Sequence, residues 1–207
     1  MIIVNFSTDV YKRAQKRLKA SLNGHKCLML DDYVAIGSPS HQESPYEFKV
    51  HAIEAASKYD PVVLWMDSSM YLKGDLSKIE NLILQDGYFM EECGHYVKTW
   101  CNDHCSKVMN YNWNGDEDHY LMFSAGLLGL NFNDESAKLW FESWKKYALL
   151  GCFRGDWSDH RHDMTVGSIL AQRLNFKYQR GGSHLSYVGP GYSTPEPGSV
   201  VHCQGLL

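Results

Sequence analysis

Val62-Val63-Leu64-Trp65-Met66-Asp67-Ser68-Ser69 (VVLWMDSS) is the stretch on which the reading of this chain turns. Five large apolar residues follow Pro61 without a polar break and run straight into a carboxylate and two hydroxyls. Strict alternation would mark a strand with one wet face, whereas an unbroken apolar run marks a strand covered on both faces, the habit of parallel α/β sheets. In such sheets ligands settle in the crevice beyond the carboxyl ends of the strands. Asp67 then has two readings: a cap on the following turn, or a group held where a ligand sits. Asp67 and Ser69 are separated by one residue, so in extended backbone both side chains aim at one place.

Outward from this run, strand and helix signals alternate. Ile2 to Phe6 reads as a first strand, and Ser7-Thr8-Asp9 offers N-cap candidates for a helix over Val10 to Leu22 that stops at Asn23-Gly24. Cys27 to Leu30 reads as a second strand. Glu47 to Tyr59 is amphipathic, with Phe48, Ala52, Ala55 and Ala56 as its expected inner positions. Gly74-Asp75 opens a helix over Leu76 to Leu84. This alternation is the pattern of a parallel α/β sheet. Asp86 to Asp118 has no clean period. Leu121 to Phe132 reads as one buried strand interrupted by two glycines. Asp134 to Leu150 is a helix with Leu139, Trp140, Trp144 and Tyr147 as a core stripe. Gly155 to His162 reads as a polar loop, Met164 to Leu174 as a helix, Gly181 to Gly198 as turns, and Val200 to His202 as a last strand.

The 207 residues, 44% hydrophobic and 21% charged, carry a formal net charge of -4. That is a globular composition able to build a real core, and one domain is expected over 1–207. No basic run is present to neutralise phosphates, which argues against nucleic acid as a partner. No apolar stretch approaches transmembrane length, and the first residues enter a strand without a basic leader, so no integral membrane segment and a cytoplasmic location are expected. Cys93, Cys101 and Cys105, with His95 and His104 among them, are close enough in sequence to suggest a zinc-stabilised interaction module, although no paired CxxC knuckle occurs.

Two further polar clusters stand at the ends of apolar elements. Asp159-His160-Arg161-His162-Asp163 (DHRHD) immediately precedes a helix, whose positive end would favour the Asp163 carboxylate or an anionic ligand beside it. The plainer reading makes Asp163 an N-cap and leaves its neighbours solvated. His202-Cys203-Gln204-Gly205 follows the last strand and carries no message alone.

Taken in order from Ile2 to Gly205, these pieces resemble a nucleotide-diphospho-sugar transferase of the GT-A fold, of the glycogenin-like and bacterial lipopolysaccharide galactosyltransferase-like kind. VVLWMDSSMYLKGDL resembles the family's strand that ends in an Asp-x-Asp motif. FSAGLLGLNF resembles the strand lining the acceptor side, HRHDMTVGSIL the Asp-Gln segment that opens a helix, and VHCQG the late His-x-x-Gly. The resemblance implies a Rossmann-like, mostly parallel central sheet with helices on both faces. It implies transfer of a sugar from a nucleotide-diphosphate donor, a UDP-sugar above all, to a carbohydrate or other hydroxyl acceptor. It implies Asp163 and His162 as catalytic groups. Asn5, Ser7, Thr8, Lys49, Asp67, Ser124, Gly126 and Arg161 become substrate-binding positions. Asp67, Ser69 and His202 become ligands of a divalent cation, manganese or magnesium. Three departures stand out: Ser69 replaces the second metal carboxylate, Met164 replaces a glutamine, and the Lys-Pro that usually follows the glycine is not present. If no metal binds, Arg161, His162 and Lys49 are the candidates to neutralise the charge on the departing diphosphate. A noncatalytic sugar-nucleotide or glycan-binding protein on the same fold is the alternative.

Overall fold

The computed structural model describes residues 1–111, 119–192 and 194–205. Its centre is the opening run: β3 (Val62–Met66) is buried along its whole length. It lies beside β1 (Ile2–Phe6), which in turn pairs with β2 (Cys27–Leu30), both in parallel register. On its other side β3 pairs antiparallel with β8 (Leu127–Asn131), and β8 pairs antiparallel with the two-residue β5 (Tyr88–Phe89). The order is β2-β1-β3-β8-β5, and β8 alone runs against the other four. The expected mostly parallel sheet is present.

The period of two in each strand sorts the core into two layers. Val63 and Trp65 point into a cluster with Val4, Phe6 and Leu128. Val62, Leu64 and Met66 point into the opposite one with Ile3 and Leu127. The first layer is closed by α2 (Phe48–Ser57), α5 (Glu135–Leu149) and α6 (His162–Arg173). The second is closed by α1 (Lys12–Ser21), through Leu18, and α3 (Ser77–Asp86), through Ile79 and Ile83. Gly129 on β8 is forced by this packing, since a Cβ there would lie 2.4 Å from Ile83 Cδ1. Helix starts follow local chemistry. Asp134 accepts from the backbone N–H groups of Ser136 and Ala137 at 2.9 Å, and Asp75 accepts from Ser77 at 3.0 Å.

Two smaller sheets sit beyond the carboxyl ends of the main one. The first joins β4 (Met70–Leu72), β10 (Val201–Cys203) and β9 (Leu185–Tyr187), and the second joins β6 (Glu92–Tyr96) to β7 (Leu121–Phe123). Several expectations are corrected here. The run Leu121 to Phe132 is not one strand: it breaks at Ser124-Ala125-Gly126 and serves two sheets. Leu139 is 55% exposed while Trp140 and Trp144 are fully buried, so the stripe of α5 is narrower than its apolar letters suggest. Ala55 is only half-buried, and Val50 and Ile53 take the inner face of α2 with Phe48, Ala52 and Ala56. The aperiodic region contains β5, β6, a 3-10 turn at Val97–Trp100 and α4 (Asp103–Met109), and the turn-rich tail contains β9. Residues 112–118 of the former and Ser193 of the latter lie outside the described residues. No helix among the described residues is long and apolar enough to cross a membrane.

Candidate active site

The strand that opened the sequence reading ends in the site. Two residues apart on β3 and its extension, Trp65 and Asp67 share a side, and Trp65 Nε1 donates to Asp67 Oδ1 at 2.7 Å. On that same side lies α2, which brings in Lys49. Its ammonium is 3.2 Å from Asp67 Oδ1 and 2.9 Å from Asp163 Oδ2, and it donates to the carbonyl of Ala125 at 3.1 Å. The rings of Tyr46 and Trp65 cover it, with centroids at 5.1 and 5.5 Å. Lys49 is only 2% exposed, so its charge is met chiefly by these groups inside the protein. Burial pulls its pKa down, but Asp163 and Asp67 outweigh that, and the ammonium is held above its ordinary range. Asp163 feels the reverse balance. Burial pushes its carboxyl up from the ordinary carboxylate range, against the pull of Lys49.

The break between β7 and β8 now has a reason. Ser124 to Gly126 must leave the sheet for Ala125 to reach Lys49 and for Gly126 to accept from the Asp67 amide at 2.8 Å. Gly126 is cramped by function: a Cβ would stand 2.6 Å from Met70 Cε and 3.0 Å from Asp67 Oδ2.

Above these groups opens a cavity of about 500 Å³ whose walls include Lys49, Asp67, Ser69, Ser124, Gly126, Arg161 and Asp163. It meets a second of about 250 Å³ at Tyr46, Asp67 and Ser69, where Phe6, Thr8, Tyr11, His41 and Phe48 supply a largely aromatic wall. A third of about 340 Å³ joins the first at Cys93, Ser124, Tyr187 and Tyr192. The three form a bent groove along the carboxyl edge of the sheet.

Seven of the expected site residues line the first cavity, and Thr8 lines the second. Asn5, Ser7, His162 and His202 line none of the three. Asn5 is consumed in tying β1 to β3: its Nδ2 donates to the Met66 carbonyl at 2.6 Å, and its Oδ1 accepts from Gln15 and Ser68. Ser7 is buried behind it. The DHRHD cluster is not a solvated loop with a cap. Burial lowers the pKa of both His160 and His162, and their rings contact the carbonyls of Cys152 and Phe153 at 2.8 Å. Those contacts hold the start of α6 against the core. Asp163 is not the N-cap: it lies within the first turn of α6, and its carboxylate lies beside Lys49. Lys49, in turn, is enclosed by acceptors and rings at the wall of the large cavity. Tyr46, Trp157, Tyr187 and Tyr192 line the cavity and were missed, because an aromatic letter by itself does not reveal whether it packs in or faces out.

The residues expected to hold a cation do not converge. His202 sits near Tyr71 and Ser199, at 3.5 and 3.4 Å, and alternation along β10 turns Cys203 toward the cavity instead. The Cys203 thiol, raised by burial, donates to Ser69 Oγ at 3.4 Å. A neutral thiol, a hydroxyl and one carboxylate whose Oδ1 is already engaged are a poor set for magnesium or manganese. Among the described residues no cluster of three or more His, Cys, Asp or Glu could hold a metal. Three of the residues suggested for a zinc module also point apart. Cys93 contacts Met164, His95 packs on Trp100, and His104 contacts the Leu150 carbonyl, three different directions.

No protein-family model matches the chain, and no curated protein matches it by sequence. Solved structures do match. Mouse xyloside xylosyltransferase 1 in its apo form superposes with a TM-score of 0.59 at 11% identity, covering 99% of this chain and 98% of that one. The galactosyltransferase LgtC, in complex with donor and acceptor sugar analogues, gives 0.50 at 13% identity, covering 98% and 86%. The apo structure of the bifunctional glycosyltransferase WbbM gives 0.56 at 11% identity over 90% of this chain, which spans 40% of WbbM's length. The fold is that of the GT-A glycosyltransferases.

Proposed function

We propose that this chain transfers a sugar from a nucleotide-diphosphate donor to a hydroxyl acceptor. The observation that carries the reading is the buried Asp67–Lys49–Asp163 chain at the carboxyl edge of the sheet, open on one side to the large cavity. The smaller aromatic cavity suits a nucleoside, for which uridine is the choice the family resemblance favours. A diphosphate would cross the junction at Asp67 and Ser69, and the sugar would lie over Asp163. As the bond from the anomeric carbon to the diphosphate breaks, positive charge grows on that carbon. A nearby carboxylate stabilises it or takes the acceptor's proton. Lys49 opposes the burial that raises the Asp163 pKa and so favours its ionised form. His162 acts as a positioning residue behind Asp163 rather than as a catalytic one. Because the donor set does not suit a divalent cation, no step of this reaction runs through one.

The test is release of nucleoside diphosphate from a panel of nucleotide sugars, run beside thermal shift. Binding with turnover supports transfer, and Asp163→Asn should bind without turning over. Binding without turnover by the unaltered protein would make it the noncatalytic nucleotide-sugar-binding alternative. Neither binding nor turnover across the panel would reject both.

A further inference from the structure

The large cavity contains a second buried cation, held in another way. Arg161 is 9% exposed, and its guanidinium lies 3.4 Å from the ring centroid of Trp100 and 4.2 Å from that of Trp157. One Nη donates to the Trp157 carbonyl. No carboxylate among the described residues pairs with it. The platform is built: the Arg161 amide donates to the Trp100 carbonyl, Thr165 Oγ1 donates to that same carbonyl at 2.6 Å, and Trp157 stacks on His162. Stacked indoles hold a guanidinium by its faces and leave its edge for in-plane acceptors. A largely buried cation with no carboxylate partner among the described residues, set on the wall of an open cavity, is suited to receive an anion from outside.

Its location identifies whose anion. Arg161 and Trp157 belong to the large cavity and are not part of the nucleoside-sized one. Arg161 is felt electrostatically by Cys93 and His95, and Cys93 is where the large cavity joins the third cleft. Arg161 also feels Tyr46, at the junction with the nucleoside-sized cavity, so the cation stands in the large cavity between the two junctions, outside the nucleoside-sized one.

We propose that Arg161 receives one oxyanion, a carboxylate or a phosphate, carried by the acceptor saccharide that enters from the third cleft. Calling that saccharide the acceptor rests on the transferase reading; the receptor itself does not. Calorimetry on the full chain, with and without UDP, tests it with glucose, glucuronate and glucose 6-phosphate. The charged sugars should bind roughly tenfold or more tightly than glucose, the scale of a charge-assisted bidentate contact, and lose the advantage at high salt. Arg161→Met, which keeps the apolar stem against the indoles, should abolish the difference and leave UDP affinity within about twofold. Arg161→Lys should keep part of it. Equal affinities for glucose and glucuronate in the unaltered protein would overturn the proposal, a comparison that needs no variant to fold. So would a tenfold loss of UDP affinity in Arg161→Met, which would assign the cation to the diphosphate. If no nucleotide sugar of the panel binds while charged sugars bind through Arg161, the transferase reading fails and the receptor stands.

Discussion

Two buried cations share one cavity, and they are provided for differently. Lys49 is ringed by two carboxylates, a carbonyl and two aromatic faces, so its charge is spent within the protein. Arg161 has two aromatic faces and a carbonyl but, among the described residues, no carboxylate, so its charge remains to be answered by something else. A point-charge ammonium with rotatable donors suits a closed junction, and a planar guanidinium clamped by its faces suits an open edge. The lesson is that burial and charge alone do not mark a binding group: the partners do.

The largest effect should come from breaking the closed side. Lys49→Met leaves Asp163 buried without its cation and should cost about 3–5 kcal/mol of stability, read by denaturant unfolding. Adding Asp163→Asn to that variant should recover a large part of the loss, because the uncompensated charge disappears. Full additivity of the two changes would mean the pair is not coupled.

Next comes chemistry. Asp163→Asn alone should fold and bind donor while turnover falls on the order of a hundredfold or more. On the proposed reaction the carboxylate must be ionised in the unaltered protein, and its pKa is raised, chiefly by burial. Turnover should therefore fail on the acid side at a higher pH than an ordinary Asp would set. Stability carries a different sign for Lys49, whose folded pKa lies above its unfolded one. Its contribution is fully present below the unfolded value and should vanish only as pH rises through the folded one. An acid limb of activity at an ordinary Asp value would place the chemistry on another group.

A smaller change should come from Gly126→Ala. Its Cβ would press on Met70 and on the free oxygen of Asp67, at an expected cost of about 1–3 kcal/mol together with weaker nucleotide binding. Unchanged binding would show that Asp67 does not face the donor. The smallest effects are expected where the family's metal would sit. UDP affinity should be the same in manganese and in chelator, and His202→Ala should leave it within about twofold, since that ring faces Tyr71 and Ser199. A manganese-dependent gain lost in His202→Ala would show that β10 rearranges to bind metal and would revive the cation.

Much of the architecture was legible in the residues because hydrophobic pattern is a local signal. VVLWM announced a doubly covered strand by its unbroken apolar run, and Cys27 to Leu30 and Asp134 to Leu150 were bounded by their own turn and cap residues. The crevice at Asp67 followed from strand direction, and Asp163 and Lys49 followed from order along a resembling chain. What the letters could not decide is which way each polar group turns. Whether Asp163 caps α6 or meets Lys49 depends on a helix more than a hundred positions earlier in the chain. His202 and Cys203 differ by one step of a two-residue period, and only the pairing of β10 with β4 and β9 selects the one that faces the cavity. Ser124 to Gly126 reads as strand because its neighbours are apolar, and it leaves the sheet because Lys49 and Asp67 need its backbone. Periodicity and caps act over a few residues and are written in the sequence. Charge pairing and desolvation act across space between residues far apart in the chain, and only the folded chain sets them.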